Sequence, residues 1–94
     1  MIYTIKNYGL YDRHDRRIAI KRGSGIYDDN NRRVATMLGN YLFDSNDRKM
    51  MEVRGDYIFD AGNKRVALLS DAEKAIKGAE REMLSAALWY CFVR

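Results

Sequence analysis

The chain has 94 residues, of which 47% are hydrophobic and 32% charged, with a net charge of +4 and no proline. That balance excludes a disordered chain and fits one folded domain spanning residues 1–94. The longest apolar run, Ala86 to Val93, is far shorter than the ~20 residues of a membrane span, so no membrane partner is expected.

Residues 1–6 (Met-Ile-Tyr-Thr-Ile-Lys) read as a strand and lack the basic start and apolar stretch of a secretory signal. Cys91 is the single cysteine, which leaves no disulfide within one chain; the expected compartment is the reducing cytoplasm.

Residues 7–69 repeat with a period of sixteen. The anchors are Tyr11-Asp12, Tyr27-Asp28, Phe43-Asp44 and Phe59-Asp60, each preceded by Leu or Ile. Four positions after each aromatic comes Asp15, Asn31, Asp47 or Asn63, then a basic pair, then Ile18, Val34, Met50 or Val66, then Ala19, Ala35, Met51 or Ala67. Each copy predicts one β-hairpin. Aspartate favours the first position of a type I turn, and Asp or Asn best tolerates the positive φ at the end of a bulged one. Glycine-bearing links (Gly23-Ser24-Gly25, Gly39-Asn40, Gly55-Asp56) join successive hairpins.

Counting outward from the turn pairs Leu10 with Ile18, Ile26 with Val34, Leu42 with Met50 and Ile58 with Val66 on one face, taken as the core. The opposite face pairs Tyr11 with Arg17, Tyr27 with Arg33, Phe43 with Lys49 and Phe59 with Arg65. Shifted forward by sixteen, Ile2 falls on Ile18 and Tyr3 on Ala19. Residues 1–6 therefore form a second strand without a first, expected to close the array against the last hairpin.

After Leu69 the period becomes helical, and residues 70–92 predict one C-terminal helix. Ser70 or Asp71 is placed to cap it, with Glu73 three beyond Ser70, and Gly78 is tolerated inside it. Ala72, Ala75, Ile76, Ala79, Met83, Ala86, Ala87 and Tyr90 form its apolar stripe. The tail from Leu88 to Val93 is too apolar to stay in water, so it packs under the hairpins or against a second chain. Fold class is thus mostly β with a C-terminal α-helix.

The unit Gly-x-(Leu/Ile)-(Tyr/Phe)-Asp-x-x-(Asp/Asn)-basic-basic-aliphatic-Ala resembles the repeat of the four-fold β-flower proteins, over residues 2 to 69. That resemblance implies a small bacterial protein in which four hairpin petals surround a centre, and it carries no activity across. Family copies usually have Asp-x-x-Gly where Asp or Asn stands here, and the C-terminal helix has no counterpart in them. Tyr27 to Val34 is also similar to the tyrosine–aspartate repeats of large bacterial toxin shells, which are longer and more numerous.

Chemistry-bearing residues are few. His14 in a turn and Cys91 in the apolar tail are not placed as a catalytic pair. The aspartate-rich turns are accounted for by turn chemistry without calcium, because Arg48 stands where Asp44-Ser45-Asn46-Asp47 would need a further ligand. No catalytic, metal or cofactor site is predicted. The sequence does not say what the protein does; it points to a non-enzymatic structural or interaction module. Leu88, Trp89 and Phe92 are the candidate contacts to a protein partner or a second copy in a homodimer. The alternative is a basic–aromatic ring of Arg17, Arg33, Lys49 and Arg65 with Tyr11 and Tyr27, which would bind a polyanion or single-stranded nucleic acid.

Overall fold

A computed structural model describes residues 2–94; Met1, the first residue of the expected N-terminal strand, lies outside the described residues. The strand that follows is β1 (Tyr3–Lys6). Four hairpins come next: β2 (Gly9–Tyr11) with β3 (Arg17–Arg22), β4 (Gly25–Asp28) with β5 (Arg33–Leu38), β6 (Tyr41–Asp44) with β7 (Lys49–Arg54), and β8 (Tyr57–Asp60) with β9 (Arg65–Leu68). Every neighbouring pair from β1 to β9 is antiparallel and hydrogen-bonded, so the hairpins merge into one sheet.

The reversals lie where the aspartates predict. In the first, Asp15 N–H donates to the Asp12 carbonyl at 3.0 Å and Asp12 N–H donates to the Arg16 carbonyl at 2.9 Å. The Asp12 carboxylate accepts from the backbone of His14 (2.9 Å) and Arg16 (3.0 Å), and Asp28, Asp44 and Asp60 do the same two and four residues on. Asp15, Asn31, Asp47 and Asn63 each take φ between 61° and 65°, the left-handed position for which Asp and Asn are suited.

Register departs from simple counting. Tyr11 does pair with Arg17, but Leu10 pairs with Ala19, because Ile18 is the extra residue of a β-bulge. The same one-residue insertion recurs in all four hairpins, giving Ile26–Ala35, Leu42–Met51 and Ile58–Ala67. Leu10, Ile26, Leu42 and Ile58 are fully buried, as alternation predicts, and small Ala19 and Ala35 face them. Ile18, Val34, Met50 and Val66 are pushed to the margin of the core, where they are half-buried.

The expected continuous helix over 70–92 does not form. Helix α1 (Leu69–Ala75) gives way to a two-residue strand, β10 (Ile76–Lys77), followed by helix α2 (Met83–Leu88) and a π-helical turn over Trp89–Val93. Gly78 breaks it, with φ +81° and an approach so close that a Cβ there would lie 2.8 Å from the Ile5 carbonyl oxygen. Capping differs as well: α1 starts at Leu69, and the Asp71 carboxylate accepts from Leu68 N–H at 2.9 Å.

β10 lies parallel to β1 (Tyr3 opposite Ile76), so the sheet runs β10-β1-β2 through β9 and is open. The N-terminal strand therefore does not pair with the last hairpin; its partners are β2 and β10. A flat ten-stranded sheet would be about 43 Å wide at ~4.8 Å per strand, yet the longest dimension of the molecule is 35 Å. Seven helical residues, rising only about 10 Å, connect one edge strand to the other. The sheet must curl. Leu84, Ala86, Ala87 and Leu88 join Leu10, Ile26, Leu42, Met51 and Ile58 in one core, so the C-terminal segment packs on its own hairpins. Ser85, the one buried polar residue among the described residues, accepts from Glu80 N–H through Oγ at 3.1 Å.

Candidate functional site

Because Leu10 and Ala19 point inward, their strand neighbours build the outer face of the sheet. Tyr11, Arg17, Tyr27, Arg33, Phe43, Lys49, Phe59 and Arg65 all belong to it, in the cross-strand pairs that the sequence indicates. They are spread along an open sheet and do not form four equivalent sites. Arg33 is 3.6 Å from the Asp47 carboxylate, and Lys49 is 3.3 Å from that of Glu52. Arg17 and Arg65 make no ion pair among the described residues.

The cation that covers Tyr11, Tyr27 and Phe59 comes from the end of the preceding strand. Lys6 Nζ lies 4.6 Å from the Tyr11 ring centre, the Arg22 guanidinium 4.6 Å from Tyr27 and that of Arg54 3.8 Å from Phe59. Each also reaches the last turn residue: Lys6 bonds Asp15 at 3.1 Å, Arg22 bonds Asn31, and Arg54 bonds Asn63. The sixteen-residue series is Lys6, Arg22, Leu38, Arg54. The third copy breaks it, and Leu38 stands 63% exposed.

A second series was equally open to reading. Gly9, Gly25, Tyr41 and Tyr57 are equivalent positions, two residues before Tyr11, Tyr27, Phe43 and Phe59. At Gly25 a Cβ would fall 2.9 Å from the Tyr27 ring, so the tyrosine lies across bare backbone. In the third and fourth copies a tyrosine fills that position beside a phenylalanine, with ring centres 6.3 Å apart for Tyr41–Phe43 and 6.5 Å for Tyr57–Phe59. Leu38 pairs directly with Tyr41, itself 42% exposed, so two departures from the repeat combine into one apolar patch. Charges around it are matched, by Arg33 with Asp47 and by Lys49 and Arg54 with Glu52.

Two open cavities complete the surface. One, of about 410 Å³, lies on β9 between Tyr57, Arg65, Leu68 and Asp71, and the Arg65 guanidinium is 4.7 Å from the Tyr57 ring centre. The other, of about 480 Å³, is lined by the Asn7-Tyr8 turn together with Gly78, Glu80, Glu82 and Leu84. No protein family, curated protein or solved structure matches this chain.

Of the predicted partner contacts, Leu88 is fully buried and is a core residue, because α2 turns its apolar side onto the sheet. Trp89 and Phe92 are half-buried against the same core. Burial pushes the Cys91 thiol up to about 11, which leaves it protonated and a poor nucleophile at neutral pH. His14 remains in its turn, where Arg13 Nε donates to it at 3.4 Å. Among the described residues no three His, Cys, Asp or Glu side chains gather as metal ligands, and no helix is long and apolar enough to cross a membrane. Backbone N–H donation from Arg16 holds the Asp12 carboxyl below the usual carboxylate range, helped by His14 N–H and the Arg16 guanidinium; Arg48 and Asn46 act on Asp44 likewise.

Proposed function

We propose that the chain is a non-enzymatic protein-interaction module whose contact surface is the outer face of its sheet. The observation that carries this is the Leu38–Tyr41 patch, an exposed apolar pair at two positions where the first two copies hold a cation and a glycine. Exposure of a large aliphatic side chain where the repeat provides a stacking cation adds nothing to the core, whereas an apolar centre ringed by matched charges suits a partner. The contact thereby moves from the C-terminal segment to the sheet. Kinship with the four-fold β-flower proteins belongs to the same proposal and is supported by the four hairpin copies; a closed four-petalled ring is not part of it.

The test is the double variant Leu38→Arg, Tyr41→Gly, which gives the third copy the pattern of the second. It should melt like the unchanged chain yet lose the proteins that the unchanged chain retains from an extract of the cell that makes it. Identical retention by both would refute the reading.

Polyanion binding is a second reading, favoured by Arg17 and Arg65, whose charges no carboxylate neutralises among the described residues. Changing both to alanine should lower the salt slope of single-stranded oligonucleotide binding by about 1.4, at ~0.7 per phosphate contact. Absence of binding at low salt would end it.

A further inference from the structure

The array stops at β9, and what the internal copies place beyond that strand shows what β9 lacks. Strand β5 is followed by β6, in the register Thr36 opposite Phe43 and Ala35 opposite Asp44, while Arg33 reaches Asp47 at the end of the next turn. The same register holds after β3 (Ile20 with Tyr27, Ala19 with Asp28) and after β7 (Glu52 with Phe59, Met51 with Asp60), with Asn31 and Asn63 in the place of Asp47. Thirty-two residues beyond Thr36, Ala35 and Arg33 stand Leu68, Ala67 and Arg65, and among the described residues no strand pairs with β9 on that side.

Leu68 and Ala67 each carry a mark of the missing neighbour. Leu68, which an aromatic would cover, is 39% exposed. Ala67 is half-buried where its equivalents Ala19, Ala35 and Met51 are fully buried, and Arg65, the equivalent of Arg33, has no acidic partner among the described residues, as is also true of Arg17. The cavity of about 410 Å³ lies over them, large enough for an aromatic side chain. Leu69 N–H donates inward to the Asp56 carbonyl, so by alternation Leu68 N–H faces the free edge, where the Asp71 carboxylate accepts it. Asp71 thus stands in for the carbonyl that a following strand would present. Beyond Leu68 the chain turns into α1, which limits any added segment to the span from Arg65 to Leu68.

We propose that this edge of β9 binds a short extended segment of a partner protein carrying an aromatic–aspartate pair and a further acid three residues on. The segment adds antiparallel, its aromatic on Leu68, its aspartate opposite Ala67 and its last carboxylate on Arg65. Charge selects this occupant over a second copy: the chain is +4 overall, and its own aromatic–aspartate segments are all paired within its sheet. The inference rests on the interaction-module reading and adds a site distinct from the Leu38 patch.

A labelled peptide with the sequence of residues 41–47 (Tyr-Leu-Phe-Asp-Ser-Asn-Asp) is the probe, titrated with the full chain and read by fluorescence anisotropy at low salt. Saturable binding is expected, weakened at least about tenfold (about 1.4 kcal/mol) by Arg65→Ala and by Leu68→Asp, both of which keep the buried side of β9 intact. A peptide with its last Asp changed to Lys should bind poorly to the unchanged chain and regain affinity for Arg65→Glu. Failure to bind, or equal binding to both β9 variants, overturns the proposal. Retention of partners through the Leu38 patch despite that failure would leave the broader reading standing, so the two fail separately.

Discussion

Replacing Gly78 by alanine separates two accounts of the C-terminal third, because they predict opposite signs. In an unbroken helix over 70–92, alanine would stabilise by about 1 kcal/mol relative to glycine. In the observed structure the residue has φ +81°, where an L side chain costs roughly 1–2 kcal/mol, and its Cβ would meet the Ile5 carbonyl oxygen at 2.8 Å. Relief of that approach requires β10 to move off β1, so the total loss should be about 2–3 kcal/mol. At roughly 4–8 °C per kcal/mol for a domain of this size, the midpoint of thermal unfolding should fall by about 10–20 °C. Gly62→Ala is the control: its Cβ would lie 3.4 Å from the Asp60 carboxylate, an ordinary contact, and its φ is not left-handed. That change should stay within about 0.5 kcal/mol. Circular dichroism melts of the three proteins at one concentration decide it. A midpoint for Gly78→Ala at or above that of the unchanged chain would refute the reasoning.

Leu42→Ala should destabilise by about 2–5 kcal/mol in urea denaturation, since Leu42 is fully buried. Leu38→Arg, four residues earlier in the chain, should be neutral or stabilising by about 0.5 kcal/mol through a new stack on Phe43. The lowered Asp12 and Asp44 values mean that their stabilisation is complete above the unfolded value near 3.8 and is lost as pH falls through the lower folded values. Asp12→Asn, Asp44→Asn should therefore lower the melting midpoint at pH 6 and erase part of its decline below pH 4. Cys91 should react with a thiol reagent at neutral pH far more slowly in the native chain than in denaturant, given a value of about 11; equal rates would contradict its burial.

Hairpin positions were legible because four copies of one turn repeat the same requirement for Asp and for positive φ. The inward set Leu10, Ile26, Leu42 and Ile58 followed from alternation alone. Their partners did not, because a bulge leaves no mark in a count of residues; the signal available was that Ala19, Ala35 and Ala67 are small, as packing beneath a curled sheet requires. The helix was misread because Ala72, Ile76 and Ala79 satisfy helical spacing, while the contact that rules it out, Gly78 against Ile5, joins residues 73 positions apart. Of the outer face, the basic–aromatic pairs were visible at once. The exposed patch is marked in the same repeat, by the series Lys6, Arg22, Leu38, Arg54 and Gly9, Gly25, Tyr41, Tyr57, whose exceptions carry the information and not its rule.

Every pairing in the sheet except one joins strands that are consecutive along the chain; the exception is β1 with β10. Chain-closure entropy is therefore small for eight of the nine pairings and large for the ninth. Assembly can proceed hairpin by hairpin while the polypeptide is still being synthesised, but the Tyr3–Ile76 clasp must wait until Ile76 has left the ribosome. That clasp joins the pair of strands most distant along the chain through only two residue pairs, so amide protons on β1 and β10 should exchange with solvent ahead of those on β4 to β7.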